Sequence, residues 1–119
     1  MRRMRILIAD DEAGIRESLS LILGDEYELF FASDGEDALG KLKTQPVDVI
    51  LLDIKMPKLD GLEVLNELKS EGIKTPVLIL TAYQSVELAK KAVRLGARDY
   101  IPKPFERDQI LAAVRGVLN

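Results

Sequence analysis

Histidine and cysteine are both missing from this chain of 119 residues, and the two absences remove much of the side-chain chemistry that catalysis and metal binding ordinarily use. Without cysteine there is no disulfide, no thiolate metal site and no thiol nucleophile, which makes the cytoplasm the default compartment. Without histidine there is no Ser-His or Cys-His pair and no zinc site of the usual kind. Long apolar runs are absent too. No stretch approaches the roughly 20 residues of a membrane span, and the basic start Met1-Arg2-Arg3-Met4-Arg5 leads into an apolar run that Asp10 cuts too short for a signal peptide. Nor is there an excess of positive charge. Seventeen Lys and Arg against 20 Asp and Glu give a formal net charge of -3, which argues against non-specific nucleic-acid binding. Any function must run on carboxylates, hydroxyls, lysines and backbone groups.

What is present is an ordinary globular composition, 47% hydrophobic and 31% charged, in a length that fits one domain spanning 1–119. Short apolar runs alternate with segments of helical period. Strands are expected over Met4 to Ala9, Tyr27 to Ala32, Val47 to Leu52, Pro76 to Leu80 and Arg98 to Ile101. Helices are expected over Gly14 to Leu23, from Asp34-Gly35 through Lys43, over Gly61 to Ser70, Ser85 to Leu95 and Phe105 to Leu118, with Gly72 and Gly96 as stop signals. Five βα units with short connections imply an α/β fold: a doubly wound parallel sheet covered on both faces. Strands 1, 3 and 4 are near-continuous apolar runs and belong in the centre. Strand 2 carries Glu28 and strand 5 carries Arg98 and Asp99, which suits edges. The order 2-1-3-4-5 follows, with its switch point between strands 1 and 3.

The residues at the carboxyl ends of those strands are the informative ones. Strand 1 ends in Asp10-Asp11, strand 3 in Asp53, strand 4 in Thr81-Ala82, and strand 5 is followed by Lys103-Pro104. Neighbouring parallel strands lie about 4.8 Å apart, so three carboxylates meet at the switch point with a hydroxyl and an ammonium beside them. Crowded carboxylates repel and rise in pKa unless a cation sits among them. A hard divalent cation, Mg2+ (or Mn2+), accepts such oxygen ligands. A carboxylate is also a nucleophile towards phosphorus, forming an aspartyl-phosphate, with lysine, hydroxyl and metal stabilising the transferring charge.

From end to end the chain resembles the receiver domain of bacterial two-component response regulators. The resemblance is carried by Ile8-Ala9-Asp10-Asp11-Glu12, Leu52-Asp53-Ile54-Lys55-Met56-Pro57 with Asp60-Gly61, Leu80-Thr81-Ala82, Gly96-Ala97 and Tyr100-Ile101-Pro102-Lys103-Pro104-Phe105. It implies a flavodoxin-like (βα)5 fold, in the strand order already known for the chemotaxis regulator. It further implies that Asp53 accepts a phosphoryl group from a histidine kinase or phosphotransfer protein, or from a small phosphodonor. Asp11, Asp53 and the backbone carbonyl of Lys55 would hold the metal, with Asp10 acting through a metal-bound water. Lys103 would pair with Asp53 and then with the phosphoryl oxygens, its bond to Pro104 being cis. Thr81 would turn its hydroxyl onto the phosphoryl group, and Tyr100 would move from exposed to buried in response. The chain would then be a phosphoacceptor that assists its own phosphorylation and dephosphorylation rather than an enzyme. Since it has no histidine, the donor histidine lies on another molecule.

Other expectations attach to single residues. Thr81 also suits an N-cap for the fourth helix. Asp60-Gly61 reads as a turn feeding the third helix, and Lys58 and Glu63 as solvated. Lys55 and Tyr83, each two residues beyond a site residue, should flank the path of water to the phosphoryl group and prolong its life. Lys55 is also reminiscent of sporulation-phosphorelay and nitrogen-regulation-type receivers. Phosphorylation is expected to shift the face made by helix 4, strand 5 and helix 5. Its Lys90, Lys91, Arg94, Arg98 and Asp99 suit self-association into a homodimer or docking to an effector or fused output domain. Two other classes compete. A Mg2+-dependent aspartyl-phosphate phosphohydrolase wants a second acid where Lys55 stands. A flavodoxin-like or nucleotide-binding module wants a glycine- or hydroxyl-rich loop after strand 1, where this chain has Asp-Asp-Glu.

Overall fold

A computed structural model describes residues 3–118. Residues 1, 2 and 119 lie outside the described residues, so Met1 and Arg2 of the basic start and Asn119 at the end carry no structural statement. The elements alternate strictly: β1 (Arg5–Ala9), α1 (Ala13–Leu23), β2 (Glu28–Ala32), α2 (Gly35–Thr44), β3 (Val49–Leu52), α3 (Gly61–Ser70), β4 (Val77–Thr81), α4 (Val86–Arg94), β5 (Asp99–Pro102) and α5 (Arg107–Leu118). The strands form one sheet in the order β2-β1-β3-β4-β5, every neighbouring pair parallel.

The two-residue period of a strand divides the core in two. Leu7, Ile50, Leu52, Val77 and Ile79 point to one face, under Ala38 of α2, Leu65 of α3 and Ala92 of α4. Ile6, Ile8, Leu51, Leu78 and Leu80 point to the other, under Leu19 of α1 and Ile110 and Val114 of α5. Each fully buried Leu or Ile contributes about 1.5–3 kcal/mol of transfer free energy. The residues of β3 and β4 are buried without exception, as central parallel strands require. Those of β2 and β5 are mostly half-buried or exposed, as edges.

The departures from the expected bounds have local causes. β3 begins at Val49 rather than Val47 because Asp48 turns to clasp Arg5: its N–H donates to the Arg5 carbonyl at 2.8 Å and its Oδ2 accepts from the Arg5 N–H at 2.7 Å. α5 begins at Arg107 rather than Phe105, with the Glu106 N–H donating to Gln109 Oε1 at 3.3 Å; the Lys103–Pro104 bond is cis, as the resemblance implied. Thr81 is the last residue of β4 and does not cap α4. That cap is Ser85, whose side chain accepts from the Leu88 N–H, since the four residues from Ala82 to Ser85 carry the chain away from the sheet before the helix starts. Asp60-Gly61 does feed α3, and Glu63 is more than a solvated acid: with Asp60 it closes a reciprocal capping box. Gly72 and Gly96 have φ of +72° and +105°, the left-handed conformation that ends α3 and α4.

Between β3 and α3 the chain makes a close approach. A Cβ at Gly61 would fall 2.2 Å from the Asp53 carbonyl oxygen, and the Gly61 N–H donates to the Ile54 carbonyl at 2.7 Å. Within the same loop Lys58 takes φ +69°, a conformation that costs a side-chain-bearing residue about 1–2 kcal/mol. Its ammonium stands 3.7 Å from Asp34 Oδ2 and is well exposed, which offsets little of that cost. Glycine relieves the strain but raises the entropy of the unfolded chain by about 0.5–1 kcal/mol. Lys58→Gly is therefore expected to stabilise the fold by about 0.5–1 kcal/mol, read as a higher urea midpoint at unchanged m-value. An unchanged or lower midpoint contradicts this account of the loop.

Candidate functional site

The parallel register brings four chain segments to one edge of the sheet. Ala9 stands opposite Leu52, and the Asp53 N–H extends that pairing by donating to the Ala9 carbonyl at 2.9 Å. Asp53 therefore leaves β3 directly beside Asp10. On the far side Thr81 pairs with Pro102, and the Lys103 N–H donates to the Thr81 carbonyl at 2.9 Å. The side chain of Lys103 is thereby launched back across the end of β4 towards the two aspartates.

Asp10 and Asp53 are both buried, 2% and 5% exposed, as is Thr81. The Lys103 ammonium lies between the acids, 2.7 Å from Asp10 Oδ2, 3.0 Å from Asp53 Oδ2 and 3.3 Å from Glu12 Oε1. Asp10 Oδ1 accepts from the Glu12 N–H at 2.9 Å, and its carbonyl accepts from Arg16 Nη1 at 2.7 Å. Asp53 Oδ1, by contrast, is buried and has no hydrogen-bond partner among the described residues. An unpaired buried carboxylate oxygen is costly, so this atom is where a further cation or donor is expected.

The donor set fits a hard cation. Asp10, Asp11, Glu12 and Asp53 each offer a carboxylate oxygen, and all four lie within 4.8 Å of one another. Lys103 is the ammonium that reaches into this group, and one cation among four acids leaves negative charge over. Burial pushes the Asp10 carboxyl above its usual range, more than the Lys103 contact lowers it. For Lys103 burial works against the charged form, but the hydrogen bonds to Asp10 and Asp53 outweigh it and its pKa is raised.

A cleft of about 390 Å3 opens onto these groups, lined by Asp11, Glu12, Asp53, Lys55, Thr81, Ala82, Tyr83 and Lys103. Asp10 is buried and meets it through Lys103. Thr81 Oγ1 accepts from the Tyr83 N–H at 3.3 Å, and the Tyr100 hydroxyl donates to the Tyr83 carbonyl at 2.6 Å. Tyr100 is half-buried here. Burial and then the charge of Asp53 push its phenol pKa up. Of the site residues expected from the sequence, Asp11, Asp53, Lys55, Thr81, Tyr83 and Lys103 line this cleft, Asp10 meets it through Lys103 and Tyr100 through Tyr83; the residues expected on the α4 and β5 face lie elsewhere. Glu12 was quoted within a motif but given no task, although it touches Lys103. Its only sequence signal was adjacency to Asp10-Asp11.

The comparisons with known proteins agree with one another. The family model of the response regulator receiver domain matches residues 6–115. Response regulator MprA of Mycobacterium avium is 43% identical over 117 residues, covering 98% of this chain and 51% of the relative. The chain thus spans about half the length of the curated relatives it matches. The receiver domain of the Francisella response regulator 1452 superposes with a TM-score of 0.92 at 33% identity, over 98% of this chain and 97% of the other. The CheX-CheY-BeF3-Mg+2 complex from Borrelia burgdorferi contributes a match with a TM-score of 0.94 at 30% identity, over 99% of this chain and 91% of the other.

The electrostatics carry a prediction for the metal-free protein. Lys103→Met strands Asp10 and Asp53 without their cation and is expected to cost on the order of 3 kcal/mol at neutral pH in EDTA. The folded-state pKa of Asp10 already lies above its ordinary value and climbs further without Lys103. Ionised Asp10 therefore penalises the variant above that raised pKa, and the penalty fades as pH falls through it. Urea unfolding at pH 7 and pH 4 should show a larger deficit at pH 7. An equal deficit at both contradicts the assignment.

Proposed function

The chain belongs to the response regulator receiver domain family, and from that membership we propose that Asp53 is its phosphoacceptor. The single observation that carries the proposal is the Lys103 bridge between Asp10 and Asp53, with the second Asp53 oxygen buried and unpaired. Family membership puts the chain in phosphorelay signalling, and its span within longer regulators makes the whole-protein partners a matter of inference. We assign the donor to a sensor histidine kinase or phosphotransfer protein, since the chain has no histidine. Acetyl phosphate can stand in for it.

In this proposal Asp11, Asp53 and the Lys55 carbonyl would hold Mg2+, with Asp10 acting through an intervening water. The ion supplies positive charge to the crowded carboxylates and to the phosphoryl oxygens. An Asp53 oxygen forms the new bond to phosphorus while the bond from phosphorus to the donor nitrogen or acyl oxygen breaks. Lys103 already stands at Asp53 and takes up a phosphoryl oxygen as charge accumulates there. Thr81 donates a hydrogen bond from its hydroxyl to another phosphoryl oxygen. Hydrolysis returns inorganic phosphate and the free carboxylate, so the domain assists its own phosphorylation and dephosphorylation without turning over a separate substrate.

The output side rests on the backbone of Tyr83. Its N–H meets Thr81 and its carbonyl meets Tyr100, so a Thr81 hydroxyl drawn to the phosphoryl group changes the setting of Tyr100 on β5. The face thereby affected is well suited to a partner. α4 leaves Val86 and Val93 69% and 60% exposed, with Lys90 and Arg94 beside them on the cleft they line. That surface fits an effector, an output domain or a second copy of the chain.

Two measurements check these assignments. Incubation with acetyl phosphate and Mg2+ should add one phosphoryl group by intact mass, lost in Asp53→Ala. Catalytic turnover of phosphate esters in its place would overturn the proposal. Lys55→Asn combined with Tyr83→Ala should speed phosphate release from the phosphorylated protein, because both residues line the cleft. Equal or slower release defeats that role.

A further inference from the structure

The loop from Ile54 to Asp60 carries the Lys55 carbonyl, and it is gripped from a side that the proposed chemistry does not use. Gly35 is the first residue of α2. A Cβ on it would stand 2.1 Å from the Leu59 carbonyl oxygen, 2.5 Å from the Leu59 Cβ and 2.7 Å from the Leu59 carbonyl carbon. The Gly35 N–H also points at the Pro57 carbonyl, 3.4 Å away. The residue before it, Asp34, caps α2 by accepting from the Asp37 N–H at 2.8 Å and lies 3.7 Å from Lys58 Nζ. Three successive loop residues, 57 to 59, therefore meet the first turn of α2.

Part of the loop is anchored, although Lys55, Pro57 and Lys58 are exposed. Ile54 and Met56 are sunk in the core, 4% and 7% exposed. The far end is held by the Gly61 N–H on the Ile54 carbonyl at 2.7 Å, where Gly61 itself tolerates no Cβ against Asp53. Lys55 sits between the two buried anchors and lines the cleft. Residues 57–59 follow Met56 directly, so a displacement of them passes towards the peptide planes on either side of Met56, and the Lys55 carbonyl belongs to one of them.

We propose that Gly35 is a positioning residue for the phosphoacceptor site: its bare Cα lets α2 seat against the Leu59 backbone, and that seat sets where the Lys55 carbonyl lies. The inference rests on the assignment of Mg2+ to that carbonyl. Gly35 is remote from the cleft, so its effect passes through the loop. A group that orients a metal ligand from outside the ligand set typically alters metal affinity by about 10–100-fold when replaced.

The test is Gly35→Ala in the full chain, followed by backbone amide NMR and Mg2+ titration. The expected result is a shift of the Lys55, Met56 and Leu59 amides without metal, and Mg2+ binding weaker by roughly tenfold. Ordinary loss of stability is separated by adding Gly40→Ala. Gly40 lies mid-helix in α2 with open space where a Cβ would go, so this change strengthens the same helix. The double variant should regain part of its urea midpoint but none of its Mg2+ affinity. Unchanged affinity in Gly35→Ala, or affinity that returns together with stability, overturns the proposal. If the wild-type protein binds no Mg2+, the metal assignment fails. The amide shifts then decide alone: movement at Lys55 supports the positioning role and none overturns it. Should Gly35→Ala not fold, Asp34→Ala loosens the same turn without added bulk. Loss of Mg2+ affinity there supports the proposal, and unchanged affinity rejects it.

Discussion

Two carboxylates can be buried side by side at the end of this sheet because one ammonium reaches both. Asp10 and Asp53 would repel across adjacent strands in a region of low dielectric; Lys103, within 3.0 Å of each, holds that repulsion in check. The compensation is incomplete. Asp10 remains raised in pKa by burial, Asp53 Oδ1 remains unpaired, and Asp11 and Glu12 add further negative charge. A site in that condition is held together while part of its negative charge stays uncompensated.

Everything around that bridge serves to aim it. The lysine follows β5, two strands away from β3, and its backbone is fastened to the Thr81 carbonyl. Asp53 is placed by the extension of β3 pairing onto Ala9 and by the close packing of Gly61 against its carbonyl. The capping box of Asp60 and Glu63 anchors α3 immediately behind, while α2 presses on the loop through Gly35. A site on a loop is precise only when the loop is over-determined, and here it is held at both ends and in the middle.

The same construction suggests how a local event reaches the surface. Tyr83 is bonded on one side to the Thr81 hydroxyl and on the other to the Tyr100 phenol, so the cleft and the edge strand share one residue's backbone. α4 follows directly, with a single fully buried residue, Ala92. An element so lightly anchored is easier to shift than the central strands, which are buried throughout.

Much of this was legible in the chain before folding was considered. The alternation of apolar runs with helical period specifies a parallel doubly wound sheet, because a strand buried on both faces must be apolar throughout. The edge strands declare themselves by Glu28, Arg98 and Asp99. The carboxylates at strand ends are legible for the same reason: nothing in packing calls for a charge where Asp10 and Asp53 stand. Tertiary structure alone decided which atoms meet. That Lys103 reaches Asp10 as well as the Asp53 it was expected to pair with, that Glu12 joins them, that Ser85 rather than Thr81 caps α4, and that Gly35 bears on Leu59 all depend on contacts between residues far apart in the chain or on the path of a short loop. Periodicity and local propensity report how a segment will fold, and they hold no record of which distant backbone it will press against.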